Sequence, residues 1–268
     1  MSAALRDRLG QCDLLLITFD ALRFDVAQAA LAAGRTPFLA TQIGNWEERH
    51  APGNFTYASH AAIFAGFFPT PVVPGRYSRP FALRFAGSRT TGVSTCLLDG
   101  SSIIEGLRAA NYHTICIGGV GFFNQQTPLG KVFPALFDEA HWEPGFGVTE
   151  RNSPANQVRR AVDRLADAPV DRPVLLFLNL SATHPPTRFY VRGTVEESVQ
   201  TQQGALECVD RELPTLWEAL RQRGRGGFGF LMSDHGTCFG DDGYTGHRVA
   251  HPAVWTVPYA ECVWTGES

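Results

Sequence analysis

The chain has 268 residues, 44% of them apolar and 18% charged, with a formal net charge of -3, which suits a globular protein able to bury a sizeable core. That charge balance gives no electrostatic reason to expect nucleic acid or an anionic membrane as partner, and no run of about 18 apolar residues is present to span a bilayer. The apolar run at residues 14–19 is too short for a signal-peptide core, and six scattered cysteines include no Cys-x-x-Cys pair, so the chain reads as cytoplasmic with free thiols.

In chain order, the first apolar run, at residues 14–18, reads as a buried strand. A Gly/Pro-rich stretch from 70 to 92 reads as a long surface excursion, a candidate flap over a site. Residues 102–110 place Ile103, Ile104, Leu107 and Ala110 on one helical face, and a second strand follows at 114–118. The helical pattern returns at 154–166 through Val158, Val162 and Leu165, before a third strand at 174–180. A last helix at 205–221 carries Leu206, Val209, Leu213, Leu216 and Leu220. Pro214 within it predicts a kink or a restart. The fourth strand lies at 229–233. Strands alternating with helices predict an α/β fold: one doubly wound, largely parallel sheet with helices on both faces, in a single domain over 1–268.

Chemistry collects where these strands end. Asp20 follows the first, His184 the third, and Asp234 and His235 the fourth. Open parallel sheets bind ligands outside the carboxyl ends of their strands. Any one such residue is ordinarily a cap or a surface group; three strands delivering Asp and His to one edge predict a metal site. A carboxylate and an imidazole suit zinc or manganese, and Gly236 is expected to permit the turn that lets both neighbours reach one ion. Thr56 lies just before or at the start of a helix, where backbone N–H groups and the helix dipole favour a developing anion. The competing reading makes Thr56 or Ser59 a simple N-cap. His247 ends a glycine-rich loop able to fold back over the site. His113, His141 and His251 read as structural, and Asp241 and Asp242 as a solvated pair.

Together these segments resemble the sulfatase-like branch of the alkaline phosphatase superfamily. The sequence Leu-Leu-Ile-Thr-Phe-Asp20 resembles its opening strand and metal aspartate, and Thr36-Pro37-Phe-Leu its Thr-Pro-Asn-Leu segment. Thr56-Tyr-Ala-Ser-His60-Ala resembles the nucleophile motif and Gly66-Phe-Phe-Pro69 its end. The stretch from Leu107 through Tyr112 resembles the helix-to-strand passage that follows. Val209-Asp210-Arg-Glu-Leu, Ser233-Asp234-His235-Gly236, Gly-His247 and Val257-Pro258 complete the match in order.

The resemblance implies one or two divalent ions, zinc or manganese, bound by Asp20, Thr56, Asp234 and His235. His184, His247 and His60 would contact the transferred group or complete a second metal site. Thr56 would attack the phosphorus of a small anionic ester (a phosphate mono- or diester or a phosphonate ester) and form a phospho-threonine that water hydrolyses. Threonine stands where classical sulfatases carry the Cys or Ser that becomes formylglycine, with Ala58 and His60 in their Pro and Arg places. Ala21 follows Asp20 where calcium-dependent members carry a second aspartate. The match also implies a chain shorter than usual, lacking the C-terminal subdomain. The alternatives are a phosphotransferase or mutase, a sulfate-ester hydrolase working without formylglycine, or a catalytically silent binder of an anion or partner.

Overall fold

The computed structural model describes residues 7–66 and 102–266. The 70–92 excursion lies outside the described residues. Nine strands are described: β1 (Asp13–Phe19), β2 (Glu47–His50), β3 (His113–Ile117), β4 (Glu139–His141), β5 (Val174–Leu180), β6 (Gly227–Ser233), β7 (Cys238–Phe239), β8 (Thr245–Gly246) and β9 (Thr256–Trp264). Seven form the main sheet in the order β2-β9-β6-β1-β5-β3-β4. Its centre, from β6 to β4, is parallel, and the antiparallel pairs β6–β9 and β9–β2 close one edge. The expected largely parallel, doubly wound α/β sheet is what forms.

Period-two alternation sends the central strands' side chains to two cores. Leu15, Ile17 and Phe19 of β1 and Leu176, Leu178 and Leu180 of β5 join one core. There the helices Phe24–Ala32, Pro37–Ile43, Ser153–Asp167 and Val199–Gln222 cover the sheet. Leu14, Leu175 and Phe177 face the opposite core, under the helices Thr56–Ala65 and Ile103–Ala109 and an aromatic cluster of Phe64, Phe123, Phe133 and Phe137. The 118–150 segment supplies most of that cluster through short 3-10 turns.

Local signals explain the helix ends. Ser102 caps the Ile103–Ala109 helix in a capping box with Glu105. The Pro37–Ile43 helix has no side-chain cap of its own. Asp210, from the long helix, accepts from Leu39 N at 2.8 Å and Phe38 N at 3.2 Å instead. Pro214 does not restart the long helix, which runs unbroken over Val199–Gln222. The proline removes one backbone bond, while Leu213, Leu216 and Trp217, all fully buried, anchor the helix on either side of it.

β9 and β2 answer to no apolar run. β9 alternates buried and exposed residues and holds Pro258, and all four residues of β2 are exposed, as befits a charged edge strand. Among the described residues, Cys12, Cys116, Cys208, Cys238 and Cys262 are free. No described helix is long and apolar enough to cross a membrane.

At the start of β1, Asp13 is fully buried; it accepts from Val174 N at 2.8 Å and from Arg223 Nε at 2.7 Å. Asp13→Ala leaves the Arg223 guanidinium buried without its countercharge. The expected loss is about 3–5 kcal/mol of stability, read as a fall in the urea midpoint at unchanged slope.

Candidate active site

Strand register builds the site. Phe19 pairs with Ser233 and Thr18 with Asn179, so Asp20 emerges beside Asp234, one residue past the ends of their strands. Both carboxylates and His235 are fully buried. One ligand atom from each of Asp20, Asp234 and His235 lies within 4.8 Å of the others, the one such group among the described residues.

Each carboxylate is held by donors. Asp20 accepts from Asn179 Nδ2 at 2.9 Å. Asp234 Oδ1 accepts from Ala21 N at 3.1 Å and from its neighbour His235 N at 3.0 Å, while Asp234 Oδ2 is buried with no hydrogen-bond partner. No lysine or arginine pairs with either acid among the described residues. Burial, and for Asp20 the adjacent Asp234 charge, push the carboxyls up to about 6 for Asp20 and about 7 for Asp234. His235 donates through Nδ1 to the Gly236 carbonyl at 2.8 Å, which fixes the tautomer and turns the Nε2 lone pair toward the acids. Burial lowers its pKa, keeping the ring neutral. Two buried carboxylates, one of them with an orphaned oxygen, and a neutral imidazole are a donor set that fits a divalent cation.

The turn that presents Asp20 is strained and clamped. Ala21 adopts a left-handed φ of 60°, which costs a non-glycine residue on the order of 1 kcal/mol. Gln202 of the long helix bridges this turn: its Nε2 donates to Ala21 O at 2.8 Å and Thr183 O at 2.9 Å. Thr183 Oγ1 donates to Asp20 O at 2.8 Å.

Thr56 is the first residue of the Thr56–Ala65 helix. The preceding Phe55 holds the cap position with extended backbone and no side-chain bond, so Thr56 is not a cap. Its Oγ1 lies 3.3 Å from His235 Nε2 and 3.5 Å from both Asp20 oxygens. The hydroxyl therefore borders the metal-type cluster at the positive end of a helix dipole.

The structure brings Asp20, Thr56, Asp234 and His235 together. His247 and His184 stand next to them: the His247 ring centroid is 4.7 Å from that of His235 and 5.2 Å from that of His184. Glycines at 240, 243 and 246, all with positive φ, fold the β7–β8 hairpin back so that His247 reaches the site. Burial, with the Arg248 cation acting in the same direction, lowers the His247 pKa to about 3.

His60 is elsewhere. It lies fully buried beneath the helix among Phe64, Phe123, Phe133 and Phe177. Its Nδ1 donates to Thr56 O at 2.8 Å and its Nε2 meets Thr18 Oγ1 at 3.0 Å. Both ring nitrogens are committed and burial drives its pKa down to about 3, so the assignment of His60 to substrate or a second metal is corrected: it supports Thr56 from below. Gly236 also acts differently from expectation. It lacks a positive φ; what it supplies is space, because a Cβ there would sit 2.0 Å from Ala253 O. Gly236→Ala is expected to cost about 1–3 kcal/mol, and to weaken any metal bound beside it, both measurable by thermal melts with and without zinc.

The remaining acidic pair divides. Asp242 is exposed as expected, but Asp241 receives Arg23 Nη1 on both oxygens, at 2.8 and 3.0 Å, tying the hairpin to the turn after β1. His251 caps the Pro252–Trp255 helix, and His113 and His141 share Glu139 at the sheet edge, in keeping with their structural reading. Thr18, Asn179 and Gln202 are site residues that the motif reading missed. The first two broke the apolar runs at 14–18 and 174–180, a visible signal.

Comparison with known proteins agrees with this fold. The structure resembles the C-terminal periplasmic domain of phosphoethanolamine transferase EptC from Campylobacter jejuni, with a TM-score of 0.64 and 14% identity over 95% of this chain and 80% of that one. It also resembles that of EcEptC from Escherichia coli in complex with zinc, at 0.64 and 15% over 96% and 74%. A protein in the alkaline phosphatase superfamily from Vibrio parahaemolyticus gives 0.59 and 17% over 96% and 61%. At these identities the likeness is one of fold. No curated protein matches the sequence. The family model for sulfatases, however, matches residues 13–259, nearly the whole chain and all of the site just described. The chain belongs to the sulfatase family, with a fold shared with an alkaline phosphatase superfamily protein.

Proposed function

We propose that this chain cleaves a phosphate ester of a small substrate by transferring the phosphoryl group to Thr56. Members of the superfamily are hydrolases or phosphotransferases acting on phosphate or sulfate esters. One observation carries the narrower reading: the Thr56 hydroxyl, at a helix N-terminus, lies 3.3 Å from His235 Nε2 beside two buried carboxylates that lack a cationic partner. A solvated N-cap threonine has no use for such surroundings; a nucleophile does.

Asp20, Asp234 and His235, with Thr56, would hold one divalent ion, zinc or manganese by donor type. When bound, such an ion lowers the pKa of a hydroxyl and neutralises charge on the oxygens of the transferred group. Thr56 Oγ attacks phosphorus in line, the bond from phosphorus to the leaving alcohol breaks, and the alcohol departs with a proton. The N–H groups of the first helical turn face the charge that builds on the phosphoryl oxygens. His247, whose ring lies beside those of His235 and His184, and His184 itself would contact those oxygens. Asn179 and Gln202 keep Asp20 in position, while His60 and Thr18 keep the nucleophile helix seated. Water then cleaves the phospho-threonine.

Phosphate is favoured over sulfate because threonine cannot become formylglycine. The fold shared with phosphoethanolamine transferases supports a second reading, in which an alcohol rather than water accepts the group. The test is turnover of matched nitrophenyl phosphate, phosphodiester and sulfate esters by zinc- or manganese-loaded protein, with and without added alcohol acceptors. Phosphate release is expected to dominate. Release of the phenol matched by a new phosphoester of the added alcohol shifts the assignment to transfer, and turnover of sulfate alone removes the reading.

A further inference from the structure

Arg248 is bound up with the nucleophile yet has no role in the chemistry above. Its backbone N–H donates to Asn54 O at 2.8 Å, two residues before Thr56. It holds a left-handed φ of 69°, an unfavourable conformation for a long side chain. Its guanidinium carbon lies 5.8 Å from the centroid of the ring of Phe55, the cap-position residue just before the Thr56–Ala65 helix. Phe55 is itself backed by Phe122, with centroids 6.5 Å apart. Arg248 is exposed, and among the described residues no carboxylate pairs with it.

These features are unusual together. An exposed arginine is ordinarily free to find a partner. This one is pinned by its backbone and has its guanidinium over an aromatic ring, immediately after His247 in the chain. The Phe55 ring offers the exposed guanidinium a cation–π contact that leaves its N–H donors available to a planar or tetrahedral anion. Thr56 is buried and Arg248 exposed, so a phosphoryl group held against Thr56 sits deeper than the guanidinium and leaves it for a second anion on the same substrate.

We infer that Arg248 is a specificity-determining residue, selecting substrates whose organic part carries a second anionic group, a carboxylate or phosphate, near the scissile ester. This rests on the functional reading above, which sets where the scissile phosphorus sits.

The test separates the two by using binding for the inference and turnover for the reaction. Phenylphosphonate and its 3- and 4-carboxy derivatives, which cannot be hydrolysed, are titrated calorimetrically into zinc-loaded wild type, Arg248→Ala and Arg248→Lys. Wild type is expected to bind a carboxy derivative at least about tenfold more tightly than phenylphosphonate. That preference disappears in Arg248→Ala, is partly kept in Arg248→Lys, and shrinks as salt is raised. Binding of phenylphosphonate itself is expected to change by less than about twofold between variants. Absence of a preference in wild type, or equal weakening of all ligands in Arg248→Ala, overturns the inference. The matching phenyl and carboxyphenyl phosphates are then assayed. A binding preference without turnover of either ester counts against the phosphoesterase reading and not against Arg248; turnover with no preference does the reverse.

Discussion

Thr56→Ala is expected to lose at least about 10³-fold in kcat/KM on the best phosphate ester, while the protein stays folded. The two halves of that expectation have separate grounds. Thr56 Oγ1 bonds only to site side chains, and the helix is not capped by it, so removing the hydroxyl strips no backbone group of its partner. Its methyl is buried with the rest of the side chain, and alanine fits the same helical position with a change of about 1 kcal/mol or less. Loss of the attacking oxygen, by contrast, removes the covalent step altogether. Thr56→Ser keeps the oxygen without the branched carbon that fixes its rotamer, and should retain about a tenth or more of the activity. Steady-state assays beside thermal melts read both. An alanine variant as active as wild type removes Thr56 from the mechanism.

The second large effect concerns the cation and pH. Folding raises the Asp20 and Asp234 carboxyls to about 6 and about 7, above the value of roughly 3.9 for an aspartate in an unfolded chain. Between these values the metal-free folded protein holds protons that the unfolded chain releases. Its stability therefore falls as pH rises from about 4 to 7, by on the order of a few kcal/mol. A bound dication supplies the missing countercharge. The rise in melting temperature on adding zinc or manganese is expected to be small near pH 5 and to grow through pH 7. Asp234→Asn removes one buried charge and one ligand together. Its metal-free form should be at least as stable as wild type at pH 7.5, and its response to metal should be largely lost. Melts across pH with chelator or metal, in both proteins, measure this; a metal response independent of pH and of Asp234 contradicts the assignment.

Much of this was legible in the chain because the buried elements carry strong local patterns. β5 forms over the residues read from sequence, and β1, β3 and β6 within two residues of it, since runs such as Leu-Leu-Ile-Thr-Phe admit few alternatives in a buried parallel sheet. The Asp and His residues behind these strands were visible for the same reason. β9 and β2 were not. Their pairing partners are distant in sequence, β9 holds a proline, and β2 has no apolar face at all. His60 shows a different limit. Its spacing of four from Thr56 puts both on one helix face, but only the packed aromatics around it show that this face turns inward at His60 and toward the site at Thr56. Gly236 and Arg248 depend on contacts with Ala253 and Phe55 that no local pattern encodes.

The most direct measurement is acid quenching of the metal-loaded protein within its first turnovers on a phosphate ester, followed by mass spectrometry of the peptide containing Thr56. A phosphoryl group on Thr56 that appears with the first release of alcohol, and decays when substrate is exhausted, is the expected result. Turnover with no phosphoryl group on Thr56 under any quench time, or with the group on another residue, contradicts it.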